Sequence, residues 1–271
     1  MSYDLIAIDI DGTLISRNQT ISDPVFKAIQ RVKKAGKKIV LCTGRPFPGA
    51  RPYMEELRLN EEGDYMITYH GALVQRTDTL ETVIHHELGF EEFKEWHSLT
   101  SHLNSNMHAV RNDGVFTDLR DLNRFALVEP FINEIPLRIR SLDELDHNLT
   151  YSKFLMADEV DIIQNLEEHI PTDMRQKYTV VRSMENTIEV LNKEASKGQT
   201  LKELAHLLNI PTERVMAIGD SGNDIDMVEY AGLGVAMGNA IPAVKSVANV
   251  ITDSVDDHGV ATAINRYVFG E

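Results

Sequence analysis

Short apolar runs that do not alternate, each closed by acids, glycines or hydroxyls, constrain this chain more than any other feature. Leu5-Ile6-Ala7-Ile8 leads into Asp9-Ile10-Asp11-Gly12-Thr13, and Ile39-Val40-Leu41-Cys42 into Thr43-Gly44-Arg45. Later, Val215-Met216-Ala217-Ile218 leads into Gly219-Asp220-Ser221-Gly222-Asn223-Asp224. A strand with one wet face alternates polar and apolar residues, whereas a continuous run is a strand covered on both faces, as in a parallel sheet. Helical segments separate the runs. In SDPVFKAIQRVKKAGKK, Val25, Ile29 and Val32 recur at helical spacing behind Ser22 or Asp23 as cap, Pro24 sits in the first turn, and Gly36 marks the stop. The stretch SKGQTLKELAHLLNI sets Leu201, Leu204, Ala205 and Leu208 on one helical face. The expected fold class is α/β, a doubly wound parallel sheet.

That rhythm breaks near residue 85. Phe90, Phe93, Trp96 and Leu103 predict a helix, and MHAVRNDGVFTD predicts a hairpin turning at Asn112-Asp113-Gly114. PLRIR and SKFLMA read as strands, EVDIIQNLEEHI as a helix, and YTVVRS with TIEVL as paired strands. Strands with segregated helices describe an α+β module. We therefore expect a core of residues 1–84 and 190–271, interrupted by an inserted domain at 85–189.

Composition narrows the partners. With 27 basic and 42 acidic residues the formal charge is −15, which repels nucleic acid and anionic membrane, so neither is expected as a partner. No apolar stretch approaches the ~18 residues needed to span a bilayer. The N-terminal residues run straight into a strand with no basic leader, and the single cysteine, Cys42, excludes an intramolecular disulfide. A cytoplasmic location is the expectation. A phosphate ester bound by so acidic a chain needs positive charge concentrated at one place.

In open α/β sheets, ligands bind beyond the carboxyl ends of the strands. There the sequence places Asp9, Asp11, Thr43, Arg45, Lys197 (after the run IEVLN), Asp220, Ser221, Asn223 and Asp224. Such a set contains the parts of a phosphoryl-transfer site. One carboxylate can attack phosphorus, and a second can protonate the leaving oxygen and then deprotonate water. A hard cation such as Mg²⁺ relieves the repulsion between anions, while lysine, hydroxyl and loop N–H groups take the remaining phosphate oxygens. Each part also has a plain structural reading. A lone threonine caps helices and a lone lysine is solvated, Asp226 reads as a helix-surface acid, and Arg45 reads equally as a phosphate contact or a helix-start residue. The histidines form no zinc-binding pattern.

DxDGT at Asp9–Thr13, TGR at Thr43–Arg45, a lysine before a helix at Lys197 and GDSGND at Gly219–Asp224, in that order, carry a resemblance over the whole chain. The sequence resembles the haloacid dehalogenase superfamily, specifically its Cof-type branch and the YidA-like sugar phosphatases. The resemblance implies a Rossmann-like core with an inserted cap of the C2 type. It implies Asp9 as nucleophile, forming a phospho-aspartyl intermediate, and Asp11 as general acid/base. It further implies Mg²⁺ on Asp9, the Asp11 backbone carbonyl and Asp220, with Ser221 or Asp224 nearby or through water. Phosphate contacts would come from Thr43, Gly44, Lys197, Asn223 and backbone N–H groups from Ile10 to Gly12. Arg45 is a candidate specificity residue. The expected activity is Mg²⁺-dependent hydrolysis of small-molecule phosphate esters, sugar phosphates first; a phosphomutase and a low-turnover phosphate-ester regulator are the alternatives.

Overall fold

The computed structural model describes residues 3–271, which fall into two compact units. The first gathers the chain up to Arg45, Ala50–Ile84 and Ser196–Glu271; the second gathers Pro46–Gly49 and His85–Ala195. In chain order the first unit contributes β1 (Leu5–Asp9), β2 (Lys38–Cys42), β3 (Tyr65–Thr68), β4 (Leu73–Arg76) and β5 (Thr82–His85). The second contributes β6 (His108–Arg111), β7 (Gly114–Thr117), β8 (Leu137–Ile139), β9 (Lys153–Ala157), β10 (Tyr178–Met184) and β11 (Thr187–Asn192). The chain then returns to the first unit with β12 (Val215–Gly219), β13 (Leu233–Ala236) and β14 (Val250–Ile251).

The first unit is built on one eight-stranded sheet in the order β14-β13-β12-β1-β2-β3-β4-β5. β1 is central and parallel to both neighbours, with Ile8 beside Leu41 on one side and Ile218 on the other. Leu5, Ile6 and Ile8 are wholly buried, and removing each from water contributes about 1.5–3 kcal/mol. Helix Asp23–Lys34 covers the sheet with Val25, Ala28, Ile29 and Val32 buried. From β1 the chain winds one way through β2 and β3, and later the other way through β12, β13 and β14. β1 therefore sits at the switch point where open α/β sheets hold ligands. The doubly wound parallel sheet expected from the apolar runs is present. Its far edge differs: past β3 the sheet continues through β4, which pairs antiparallel to β3. The chain reverses there within the tight turn Tyr69–Gly71, which leaves no length for a crossover helix.

The second unit carries a six-stranded sheet in the order β10-β11-β9-β6-β7-β8, antiparallel except for the β7–β8 pair. The hairpin falls where Asn112 and Asp113 place it, with Arg111 opposite Gly114. Phe93 and Trp96 of helix Phe90–His102 and Ile163 and Leu166 of helix Val160–His169 pack with Phe154, Ile188 and Val190 of the sheet. This unit runs to Ala195, six residues beyond the boundary expected at 189, because β11 extends through Asn192 and pairs with β10 and β9. The run IEVLN is therefore a strand of the inserted sheet. Lys197 does not close a strand of the core as the sequence suggests; it opens helix Lys197–Leu207, behind Ser196 as N-cap.

Candidate active site

β1 ends at Asp9, and the chain then turns tightly enough for the Leu14 N–H to reach back to the Asp9 carbonyl at 3.1 Å. Gly12 makes that turn possible. Its φ is +84°, and an added Cβ would lie 2.5 Å from Asp220 Oδ2, a conformation and a clearance that only glycine supplies. The Gly12 N–H donates to the Ile15 carbonyl at 3.1 Å. This bond closes the turn, and Gly12 supplies the room that lets Asp220 approach it. The Thr13 hydroxyl donates to Asp220 Oδ1 at 2.9 Å, and Asn239 Nδ2 donates to the Gly12 carbonyl at 2.9 Å.

β12 delivers Asp220 next to this turn because Ile8 and Ile218 are in register. Asp224 follows in the capping box of a short turn. Its Oδ2 accepts from the N–H groups of Asp220 and Ser221 at 3.0 and 2.9 Å, and its Oδ1 from Lys197 Nζ at 2.6 Å. Both oxygens are thus occupied by protein donors, so Asp224 organises the loop and the lysine. Ser221 Oγ donates to Asn223 Oδ1 at 2.6 Å.

Lys197, wholly buried, lies between Asp9 Oδ1 and Asp224 Oδ1 at 2.6 Å each. Burial alone would lower its pKa, but Asp224 and Asp9 hold it above the ordinary lysine range. Burial pushes Asp9 well up, with Asp224 adding to the rise and Lys197 opposing it. Burial and Asp224 push Asp220 up to about 6. Burial and the crowding of three carboxylates around one ammonium act together here. Asp9, Asp220 and Asp224 offer ligand atoms within 4.8 Å of one another, and Asp9 Oδ2 is buried with no hydrogen-bond partner. An orphaned carboxylate oxygen beside Asp220, in a cluster short of positive charge, fits a hard divalent cation.

The TGR loop closes another side. Thr43 is wholly buried, and its Oγ1 accepts the Arg45 N–H at 3.1 Å. Two residues that sequence reasoning missed hold this loop. The N–H groups of Tyr69 and His70 donate to the carbonyls of Arg45 and Thr43 at 3.1 and 3.0 Å. Both residues adopt left-handed backbone, at φ +51° and +55°, which bulky residues accept only where surroundings fix it. The His70 ring stands so close over Gly44 that a Cβ there would fall 2.2 Å from Cε1. Asn223 Nδ2 donates to His70 Nδ1 at 2.9 Å. The next residue, Gly71, abuts the Ser196 backbone and accepts from the Thr200 hydroxyl at 2.6 Å. One three-residue turn thereby ties the TGR loop, the Lys197 helix and Asn223 together. Its only sequence trace is the Gly71 that ends TYHG.

Arg45 forms a two-pronged ion pair with Asp11, Nε to Oδ2 at 2.8 Å and Nη2 to Oδ1 at 2.6 Å. Asp226 is no idle surface acid, since its Oδ2 accepts the Gly198 N–H at 2.9 Å and anchors the start of the Lys197 helix. Cys42 is buried, and burial pushes its thiol far up, as for an inert packing residue.

A sequence profile of haloacid dehalogenase-like hydrolases matches residues 6–264. The chain belongs to this family. The Bacillus subtilis protein named "Putative phosphatase YxeH" is 43% identical over 99% of this chain and 100% of its own length. The B. subtilis 5-amino-6-(5-phospho-D-ribitylamino)uracil phosphatase YitU is 30% identical, covering 97% of each chain. A haloacid dehalogenase-like hydrolase from Bacteroides thetaiotaomicron superposes with a TM-score of 0.88 at 30% identity, over 98% of this chain and 99% of that one. The chain is accordingly a phosphoric monoester hydrolase of the haloacid dehalogenase-like family. Among the described residues, no helix is long and apolar enough to cross a membrane.

Proposed function

We propose that this hydrolase removes phosphate from small phosphorylated metabolites, sugar phosphates first, with Mg²⁺ and through a phospho-aspartyl intermediate on Asp9. The observation that carries the reading is the buried Asp9 carboxylate, whose Oδ1 is held by Lys197 while Oδ2 has no partner. Asp9, Asp220 and the Asp11 carbonyl would hold the metal, which supplies positive charge that lets one anion approach another. Asp9 attacks phosphorus as Asp11 gives its proton to the leaving oxygen. Asp11 then takes a proton from the water that cleaves the Asp9–phosphorus bond. Lys197, the Thr43 hydroxyl and Asn223 take the charge that develops on the phosphoryl oxygens. Asp224 keeps Lys197 in place, and Ser221 orders Asn223.

The inserted unit, which carries none of these groups, is assigned the choice of substrate. Relatives named for a ribitylaminouracil phosphate and, in Escherichia coli, for pyridoxal phosphate support the class of small phosphate esters. The test is phosphate release from a panel of sugar phosphates, pyridoxal phosphate and phosphopeptides, with Mg²⁺ and with excess chelator. Turnover of several small esters that stops on chelation supports the reading. Full turnover in chelator, or a preference for phosphopeptides, contradicts it.

A further inference from the structure

Asp9 and Asp11 are positioned by opposite means. Asp9 is buried and held by Lys197. The Asp11 side chain is about half exposed, and Arg45 is its one partner among the described residues. A fork of two N–H···O bonds fixes the plane and position of a carboxylate. An arginine side chain is itself long and rotamer-rich, however, and fixes nothing unless it is held. Here it is held. Nη2 of Arg45 also donates to Gln19 Oε1 at 2.7 Å, and the same oxygen accepts the Tyr53 hydroxyl at 2.8 Å. The guanidinium carbon lies 5.3 Å from the Tyr53 ring centroid. Tyr53 is buried in helix Phe47–Glu56, so the relay ends on a packed element. Gln19 adopts φ +57°, a costly conformation for a non-glycine residue that persists where contacts determine it.

We propose that Gln19 and Tyr53 are positioning residues for the reaction: they hold Arg45 so that Arg45 places the Asp11 carboxyl for proton transfer. The bond from Arg45 Nη2 to Gln19 gives the guanidinium an anchor of its own, apart from the carboxyl it faces. In the first step the P–O bond to the leaving group breaks as the Asp9–P bond forms, and the Asp11 proton moves to the departing oxygen. In the second, water bonds to phosphorus, its proton returns to Asp11, and the Asp9–P bond breaks. This inference rests on the assignment of Asp11 as acid/base made above.

The experiment compares kcat/KM, which reports steps through leaving-group departure, for an alkyl phosphate and for dinitrophenyl phosphate. Alkoxides need a proton to leave and dinitrophenolate does not. Gln19→Met and Tyr53→Phe remove the acceptor and the hydroxyl with little change of shape. Each should lower kcat/KM for the alkyl ester about tenfold, a part of the ~10²–10⁴-fold that general acid catalysis contributes, and for the aryl ester several-fold less. Neither should lower the alkyl rate further in an Asp11→Asn background. Equal losses on both esters, no loss on the alkyl ester, or an undiminished loss in the Asp11→Asn background overturns the inference. If Asp11→Asn itself shows no leaving-group dependence, the acid/base assignment falls and the inference with it.

Discussion

Each of the two units buries one lysine between two carboxylates, and only one of the two arrangements is built for chemistry. In the first unit Lys197 lies 2.6 Å from Asp9 and from Asp224. In the second, Lys153 of β9 lies 2.7 Å from Glu189 of β11 and 2.9 Å from Glu129 of helix Val128–Ile132. Both lysines are held above the ordinary range by their carboxylates against the opposing pull of burial. The difference lies in the surroundings. Lys153 and Glu189 extend from neighbouring strands of a sheet. The Lys197 cluster stands past the strand ends at the switch point, includes Asp220 as a third carboxylate, and leaves Asp9 Oδ2 buried and unpartnered. Burying an ion pair often adds little to stability, because desolvation offsets the attraction. A buried pair is therefore weak evidence of function. The unmet oxygen beside it is the stronger sign.

The sharpest way to break this comparison is to remove each lysine. Lys197→Met should lower kcat by on the order of a hundredfold or more, since it deletes a charge that stabilises the transferring phosphoryl group. Lys153→Met should leave kcat on an aryl phosphate within a few-fold and instead cost about 3–5 kcal/mol of stability in denaturant, the penalty for stranding buried carboxylates. Comparable losses of kcat in both variants would erase the distinction.

Neutral replacement sharpens it. Lys153→Met with Glu129→Gln and Glu189→Leu should recover most of that stability while turnover persists, because an apolar substitute of similar volume often serves as well as a buried pair. Lys197→Met with Asp9→Asn and Asp224→Asn should stay inactive whatever its denaturation midpoint. Metal binding separates the clusters again. Mg²⁺ at a hundred times its Kd should stabilise the protein by about 2.7 kcal/mol, read as a rise in Tm. The rise should vanish in Asp220→Asn and survive in the Lys153 variants; a rise unaffected by Asp220→Asn would place the metal elsewhere.

A separate effect, outside both clusters, concerns acid. His108 of β6 is fully buried with neither ring nitrogen partnered, and burial lowers its pKa to about 4, with Asp118 opposing. The unfolded chain takes up the proton near pH 6.5 and the folded one near 4, so stability is complete above that window and falls as pH drops through it. The loss should reach on the order of 3 kcal/mol. His108→Leu should flatten the acid limb of the denaturation profile, and an unchanged limb would remove His108 from the account.

What the sequence made legible follows from whether neighbours in space are neighbours in the chain. Asp9, Asp11 and Gly12 share one strand end and Gly219–Asp224 another, so their chemistry reads directly. Lys197 was recognisable by its order among the motifs, although the strand before it belongs to the other sheet. Gln19, Tyr53, His70 and Asn239 were not legible, because a loop glutamine, a helical tyrosine and a turn histidine acquire meaning only through contacts across the fold. Arg45 shows the limit most clearly. The sequence places it at the phosphate loop, and only the structure shows its fork closed on Asp11. The antiparallel edge strands carried no apolar run long enough to announce them.

The account turns on Asp9 as the residue that takes the phosphoryl group. Asp11→Asn protein, slowed in cleaving the intermediate, is mixed with an aryl phosphate and Mg²⁺, quenched in acid and examined by mass spectrometry. The account predicts one added phosphoryl group on the peptide that carries Asp9, and none when Asp9→Asn is introduced as well. Turnover with no labelled peptide, or a label that persists in the Asp9→Asn protein, contradicts it.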